Sequence, residues 1–128
     1  MKTLKKIALA LCIAASMSAV STSVMAETDV GRVTYAPTEA IDMVAAKVGA
    51  ALNALEQGGD AEKVSALAKE ALDSSKEINA NDKVDAARSK ANSKVKEARK
   101  HLSAGATQEA EQELRDAQKG YLALKNLL

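Results

Sequence analysis

The sequence contains a single proline, Pro37, and everything after it to Leu128 is free of that helix breaker. The same stretch is rich in Ala, Leu, Lys and Glu, all strong helix formers. Pro37 itself suits the first turn of a helix, where its missing N–H would have no partner in any case. Such a chain has few options other than helices, and its apolar residues show how many. Ile41, Val44, Val48, Ala51 and Leu55 alternate spacings of three and four, which keeps one stripe on one helical face. Gly58-Gly59 stops that helix, and Asp60 is placed to cap the next. The second stripe is Val64, Leu67/Ala68, Ala71 and Ile78, followed by the turn Asn79–Asp82 with several cap candidates. The third is Val84, Ala87, Ala91, Val95, Ala98 and Leu102, closed by Gly105. Thr107 is predicted to cap the fourth, whose stripe is Ala110, Leu114, Ala117, Tyr121, Leu124 and Leu128. Four helices with short links predict an all-α fold over residues 37–128. The expected form is an antiparallel up-down four-helix bundle made of two helical hairpins.

The two hairpins read as copies of one another. A shift of forty-seven positions carries Val48, Ala51 and Leu55 onto Val95, Ala98 and Leu102. Beyond the turn, a shift of forty-six carries Gly59, Lys69, Glu70 and Ala71 onto Gly105, Arg115, Asp116 and Ala117. The change of one residue falls in the turn, where length is cheap. An alanine-rich binary pattern produces similar matches without duplication, so both origins stay open. The many alanines on the seams let helices approach closely, while each removes little apolar area at roughly 25 cal/mol per Å². A slim bundle of modest stability follows, with little room for a buried cofactor.

Residues 1–26 have the build of a secretory leader. Lys2, Lys5 and Lys6 precede the uncharged run Ile7–Val20, and "STSVMA" ends with Val24 and Ala26 where a signal peptidase requires small or apolar residues. Cleavage is expected after Ala26, with a Sec-type signal peptide and a periplasmic destination. A permanent anchor needs an apolar run of about 20 residues, longer than this one. A lipoprotein reading would acylate Cys12, but Leu11 is a poor small-residue neighbour and little apolar sequence precedes it. The chain from Glu27 then has no cysteine, hence no disulfide, thiolate nucleophile or CxxCH haem attachment. Residues 27–36, "ETDVGRVTYA", lack helical periodicity and are expected to form a flexible N-terminal arm. A short extended arm packing Val33 and Tyr35 on the bundle is the alternative.

Charge and composition exclude several classes of function. Without the three leader lysines, the 18 basic residues fall to 15 against 17 acidic, so the exported chain carries a net charge of about −2. That balance and the lack of stacking aromatics speak against nucleic acid. With two tyrosines and neither Phe nor Trp, a large aromatic ligand pocket is not expected. Ser65, Ser74 and Ser75 have no base beside them in a nucleophilic constellation. Gly58-Gly59 lacks the lysine of a phosphate loop. The chain is therefore not expected to be an enzyme.

The one residue that stands out chemically is His101, the only histidine. Glu97 lies four residues earlier on the same helical face, so the two could offer an imidazole and a carboxylate to a divalent ion. The alternative is a Glu–His surface pair with the imidazole near a helix C-terminus, where positive charge is favoured by ~0.3–1 kcal/mol. The basic cluster Lys94, Lys96, Arg99, Lys100 and His101 ends the third helix, and Glu109, Glu111, Glu113 and Asp116 open the fourth. In an antiparallel hairpin these are expected to pair. Glu109, Glu113 and Asp116 also form a carboxylate stripe, the donor type of Ca²⁺ or Mg²⁺, though without EF-hand spacing. A di-iron bundle needs Glu-x-x-His pairs on two helices, which a single histidine cannot supply.

A leader followed by two Ala/Lys/Glu-rich hairpins resembles the small periplasmic metal-binding proteins, which form four-helix bundles. The likeness runs over Thr38–Leu128 in phrases such as "AEKVSALAKEALDSSKEI" and "ATQEAEQELRDAQKGYLAL". It implies an exported small binding protein for a divalent metal (copper, nickel or zinc). Family members use many histidines along the helices, and here only His101, with Glu97, stands in a matching place, which implies weak or lost metal capacity. The alternative is a ligand-free interaction or stress-protective helical module. Its expected partner is then a protein, with no nucleic acid and no membrane after leader removal, as monomer or dimer. "EAEQELRDAQKGYLALK" is also similar to the last helix of cytochrome b562-type bundles. There a haem-binding histidine follows the tyrosine; here Leu122 follows Tyr121, and Met43 alone could stand for the methionine ligand.

Overall fold

The computed structural model describes residues 34–128. The expected leader with its cleavage point, Cys12, and residues 27–33 of the expected arm lie outside the described residues. Thr34–Ala36 are non-helical, and Tyr35 is exposed, not packed on the bundle. Four helices follow: α1 (Pro37–Glu56), α2 (Ala61–Ser74), α3 (Asp82–Ser103) and α4 (Thr107–Ala123). Short 3₁₀ turns, Ser75–Glu77 and Leu124–Leu127, extend α2 and α4. α1 packs on α2 and α4, and α3 packs on α4 and α2, so successive helices are neighbours and the last returns beside the first. This is the up-down four-helix bundle that the stripes predict.

Each helix end has an identifiable cause. Pro37 opens α1, and the Glu39 carboxylate accepts from the Ala36 N–H (3.2 Å). Gly58 and Gly105 sit in the left-handed region at φ 81° and 77°, the conformation glycine adopts without Cβ strain after a helix. Asp60 Oδ1 accepts from the Lys63 N–H at 2.9 Å, and Asn81 Oδ1 from the Val84 N–H at 3.0 Å. Thr107 departs from expectation: it is the first residue of α4, Ala106 occupies the cap position, and no side chain caps that end. We therefore expect Asp60→Ala to cost about 1 kcal/mol and Thr107→Ala well under half of that, read from urea midpoints of the two variants.

The seams meet as drawn from the sequence, with two adjustments. Ile41, Val44, Val48, Val64, Ile78, Val84, Val95, Leu114, Tyr121 and Leu124 are fully enclosed, and seven alanines (Ala40, Ala51, Ala68, Ala71, Ala98, Ala110 and Ala117) fill the spaces between them. Leu52 is buried where Leu55 is only partly so, because an apolar stripe at 3.6 residues per turn drifts across the face. Leu128 is half exposed, since α4 ends at Ala123 and the chain turns away in a 3₁₀ turn. Small residues set the helix spacing: a Cβ on Gly120 would lie 3.2 Å from the Ala91 Cβ, and one on Gly49 would lie 2.7 Å from Gln118 Nε2.

The internal likeness of the hairpins survives in three dimensions with a refined register. Gly58 and Gly105, forty-seven apart, share the left-handed conformation, so Gly59 is the additional residue of the first turn. Beyond the turns, Val64, Ala68, Ala71, Ser75 and Ile78 superpose by a shift of forty-six on Ala110, Leu114, Ala117, Tyr121 and Leu124. All ten are buried. The pair that differs most in chemistry is Ser75 and Tyr121, and these two build the one polar cluster of the interior. Tyr121 Oη donates to Asn92 Oδ1, Ser75 Oγ donates to the Leu72 carbonyl, and Arg88 Nη1 donates to the Ile78 carbonyl at 2.6 Å.

Candidate functional site

His101 and Glu97 lie on the last two turns of α3, where the helix pattern places them. They do not meet as a pair. Glu97 Oε1 is held by Lys100 Nζ at 3.2 Å, a cation three residues on that reaches it more readily than the imidazole does. The His101 ring is half-buried and has no hydrogen-bond partner among the described residues, while its carbonyl accepts from the Ala104 and Ala106 N–H groups. Among the described residues no three His, Asp, Glu or Cys side chains come together as a metal cluster. The carboxylate stripe of α4 is divided up as well: Glu113 Oε2 lies 3.3 Å from Lys94 Nζ, and Asp116 Oδ1 accepts from Gln112 Nε2. Met43 is a partly buried residue of α1.

The expected pairing between the basic end of α3 and the acidic start of α4 holds at Lys94–Glu113 and changes elsewhere. Glu111 is taken within its own helix by Arg115 (2.6 Å), whose Nη2 also reaches Glu56 on α1 (2.7 Å). Arg115 thus ties α4 to α1 at the end of the bundle that carries the Gly58 and Gly105 turns. Further along the same interface Gln118 Nε2 donates to the Ala45 carbonyl (3.2 Å), and Lys125 pairs with Asp42.

The α2–α3 interface is closed differently. Arg99, named in the sequence only as part of a basic run, lies across the groove with its Nε donating to Ser65 Oγ at 3.0 Å. Around it opens a cleft of about 330 Å³ lined by Glu62, Ser65, Lys69, Arg99, Leu102 and Ser103, among others. Lys69 Nζ is held by Asp73 Oδ2 at 2.7 Å. That hydrogen bond, with help from Lys76 and Arg99, keeps the Asp73 carboxyl below its ordinary value, so it stays ionised and neutralises Lys69. Sequence periodicity does not expose this cleft. The signal lies in the comparison of equivalent positions: Glu56, Glu111 and Arg115 on one side correspond to Ser103, Ser65 and Lys69 on the other.

Comparison with protein-family models, curated proteins and solved structures gives no match.

Proposed function

We propose that this chain is a small exported helical-bundle binding protein that works through its outer surface. It corresponds to the interaction module that acts through its surface, not to a metal carrier with an internal site. The observation that supports this reading is the character of the interior. Apart from Ser75, every buried residue among those described is hydrophobic, so the charged and ligating groups all stand on the outside. Buried polar groups must be satisfied and are costly otherwise, and the Tyr121 and Ser75 hydroxyls are both spent on internal hydrogen bonds.

One observation favours the metal reading that the resemblance implies. The His101 imidazole is half-buried, has no protein partner among the described residues and sits at the C-terminal turn of α3. A single imidazole gives at most a weak site for copper, nickel or zinc, which ordinarily need three or four ligands. Calorimetric titration of the protein with Cu²⁺, Ni²⁺ and Zn²⁺ separates the two. The surface reading expects no stoichiometric heat and no rise in melting temperature, since a ligand that prefers the native state must raise stability. Tight stoichiometric binding lost in His101→Ala would move the function to metal binding.

A further inference from the structure

The internal likeness of the two hairpins permits a comparison that a single copy would not. Both lateral interfaces, α4 with α1 and α2 with α3, are built from equivalent positions at the same end of the bundle. In the first, one cation holds two carboxylates: Arg115 Nη2 contacts Glu111 at 2.6 Å and Glu56 at 2.7 Å. In the second, both carboxylates are replaced by hydroxyls, Ser65 and Ser103, while a cation is kept at the Arg115 position as Lys69. A second cation is added: Arg99 stands where the first interface has the apolar Leu52.

The second interface therefore lacks the two carboxylates of the first, and the ion pair beside it, Lys69 with Asp73, lies within α2. Lys69 is neutralised by Asp73. Arg99 is not neutralised by any ion pair among the described residues, and its guanidinium spends only Nε, on the neutral Ser65 hydroxyl. Its two Nη groups have no hydrogen-bond partner among the described residues, although the residue is half-buried and lines the cleft. A guanidinium presents a planar fork that matches a carboxylate in a bidentate manner. The Ser65 hydroxyl, which accepts from Arg99 Nε, keeps its own proton to donate at the rim, the Ser103 hydroxyl donates to the Arg99 carbonyl, and Leu102 supplies an apolar floor. The cleft, at about 330 Å³, falls at the small end of the range for organic ligands, roughly 300–1,000 Å³. The opposing charges are Glu62, exposed on the first turn of α2, and Asp73, which is held by Lys69 and also lies in the field of Arg99.

From this we infer that the α2–α3 cleft is a binding site for a small carboxylate, with Arg99 as its anchor and the ligand's acid group taking the place that Glu56 and Glu111 fill around Arg115. The inference rests on the surface reading proposed above and gives it a location and a ligand chemistry.

The test is an NMR titration of the isotope-labelled protein, produced from the full chain, with succinate as the probe and sodium chloride at matched ionic strength as the control. Saturable shifts are expected at Ala61–Lys69, at Arg99–Ser103 and at the Arg99 side-chain Nε–H. Binding should weaken about tenfold or more in Arg99→Gln and strengthen in Glu62→Gln. Ser103→Glu supplies the missing carboxylate from the chain itself, so it should abolish succinate binding while leaving the melting temperature equal or higher. That variant keeps the test decisive if Arg99→Gln loosens the groove. Shifts reproduced by chloride, or saturable binding that survives both Arg99→Gln and Ser103→Glu, would overturn the site. Failure here leaves the metal titrations unaffected, because those read His101 with a different ligand.

Discussion

Tyr121→Ala is expected to remove about 3–5 kcal/mol of unfolding free energy, the largest loss any single truncation in this bundle should cause. Tyr121 is the largest side chain enclosed in a core otherwise made largely of alanine and valine, and a close-packed core does not collapse into the space it would leave. Small domains have on the order of 5–15 kcal/mol in total, and an alanine-rich core belongs at the low end. The variant should therefore lose most of its cooperative urea transition and expose its helices to rapid amide exchange. Tyr121→Phe isolates the hydroxyl. It keeps the ring but strips Asn92 Oδ1 of its donor, for a cost of about 1 kcal/mol. The same comparison carries a pH signature. Burial raises the Tyr121 phenol above its ordinary value of 10.0, outweighing the Ser75 hydroxyl and the Arg88 charge, which lower it. The native state thus keeps a proton that the unfolded chain gives up. Its contribution to stability is complete below about pH 10 and declines as the pH rises beyond. Urea midpoints at about pH 8 and pH 11 should fall further in the native sequence than in Tyr121→Phe. Equal falls in the two would mean that the phenol is not protected by burial.

The bundle was legible because its information is periodic. The spacing of Val, Ile, Leu and Ala fixes which face of each helix turns inward, and Gly58, Asp60 and Gly105 mark ends by backbone requirements that act locally. The limits of legibility follow from the same fact. Thr107 has the chemistry of a cap, but capping depends on the backbone angle of one residue, and that position belongs to Ala106. Glu97 has two candidate partners within about a turn, Lys100 and His101, and periodicity places both on its face without choosing between them. Glu111 turned to Arg115, four residues on in its own helix, and not to the basic end of α3. Most of all, the long side chains that flank the stripes declare no direction in sequence. Arg88 and Arg99 each sit one residue from a seam alanine, and only the order of helices around the bundle determines that both reach α2. The polar cluster and the α2–α3 cleft were missed for that single reason.

Those two arginines also explain why the hairpins stay together. The α4–α1 interface is fastened by Arg115, Gln118 and Lys125, whereas α2 and α3 are fastened by side chains of α3 alone, Arg99 near one end and Arg88 near the other. The turn Asn79–Asn81 adds one tie, Asn81 Nδ2 donating to the Leu127 carbonyl at 3.0 Å. The asymmetry suits the surface reading proposed above. An interface held at two points leaves the groove open beside one of them without detaching the helices.

Arg88→Ala should therefore be costly out of proportion to its partial exposure, at about 1.5–3 kcal/mol. Past the end of α2 Arg88 Nη1 serves the Ile78 carbonyl (2.6 Å) and makes a weaker second contact (3.4 Å) to the Ser75 carbonyl, which also accepts from the Ile78 N–H. Its Nη2 also lies 3.5 Å from Asp85 Oδ1, an enclosed carboxylate oxygen that lacks a hydrogen bond of normal length. Truncation strands the Ile78 carbonyl, while that of Ser75 keeps the Ile78 N–H at 3.1 Å, and it leaves the Asp85 oxygen without its cation; an unsatisfied buried group costs more than the bond itself contributed. Arg88→Lys restores a charge but not the fork, so it should recover only part of the loss. The local readout is amide exchange. Protection should fall at the C-terminal turns of α2, Ala71–Ile78, and in the first turn of α3. The turns at Gly58 and Gly105, at the opposite end of the bundle, should change far less. A uniform loss of protection along all four helices would show that Arg88 supports the fold globally, and no loss at Ala71–Ile78 would show that water replaces it at those carbonyls without cost.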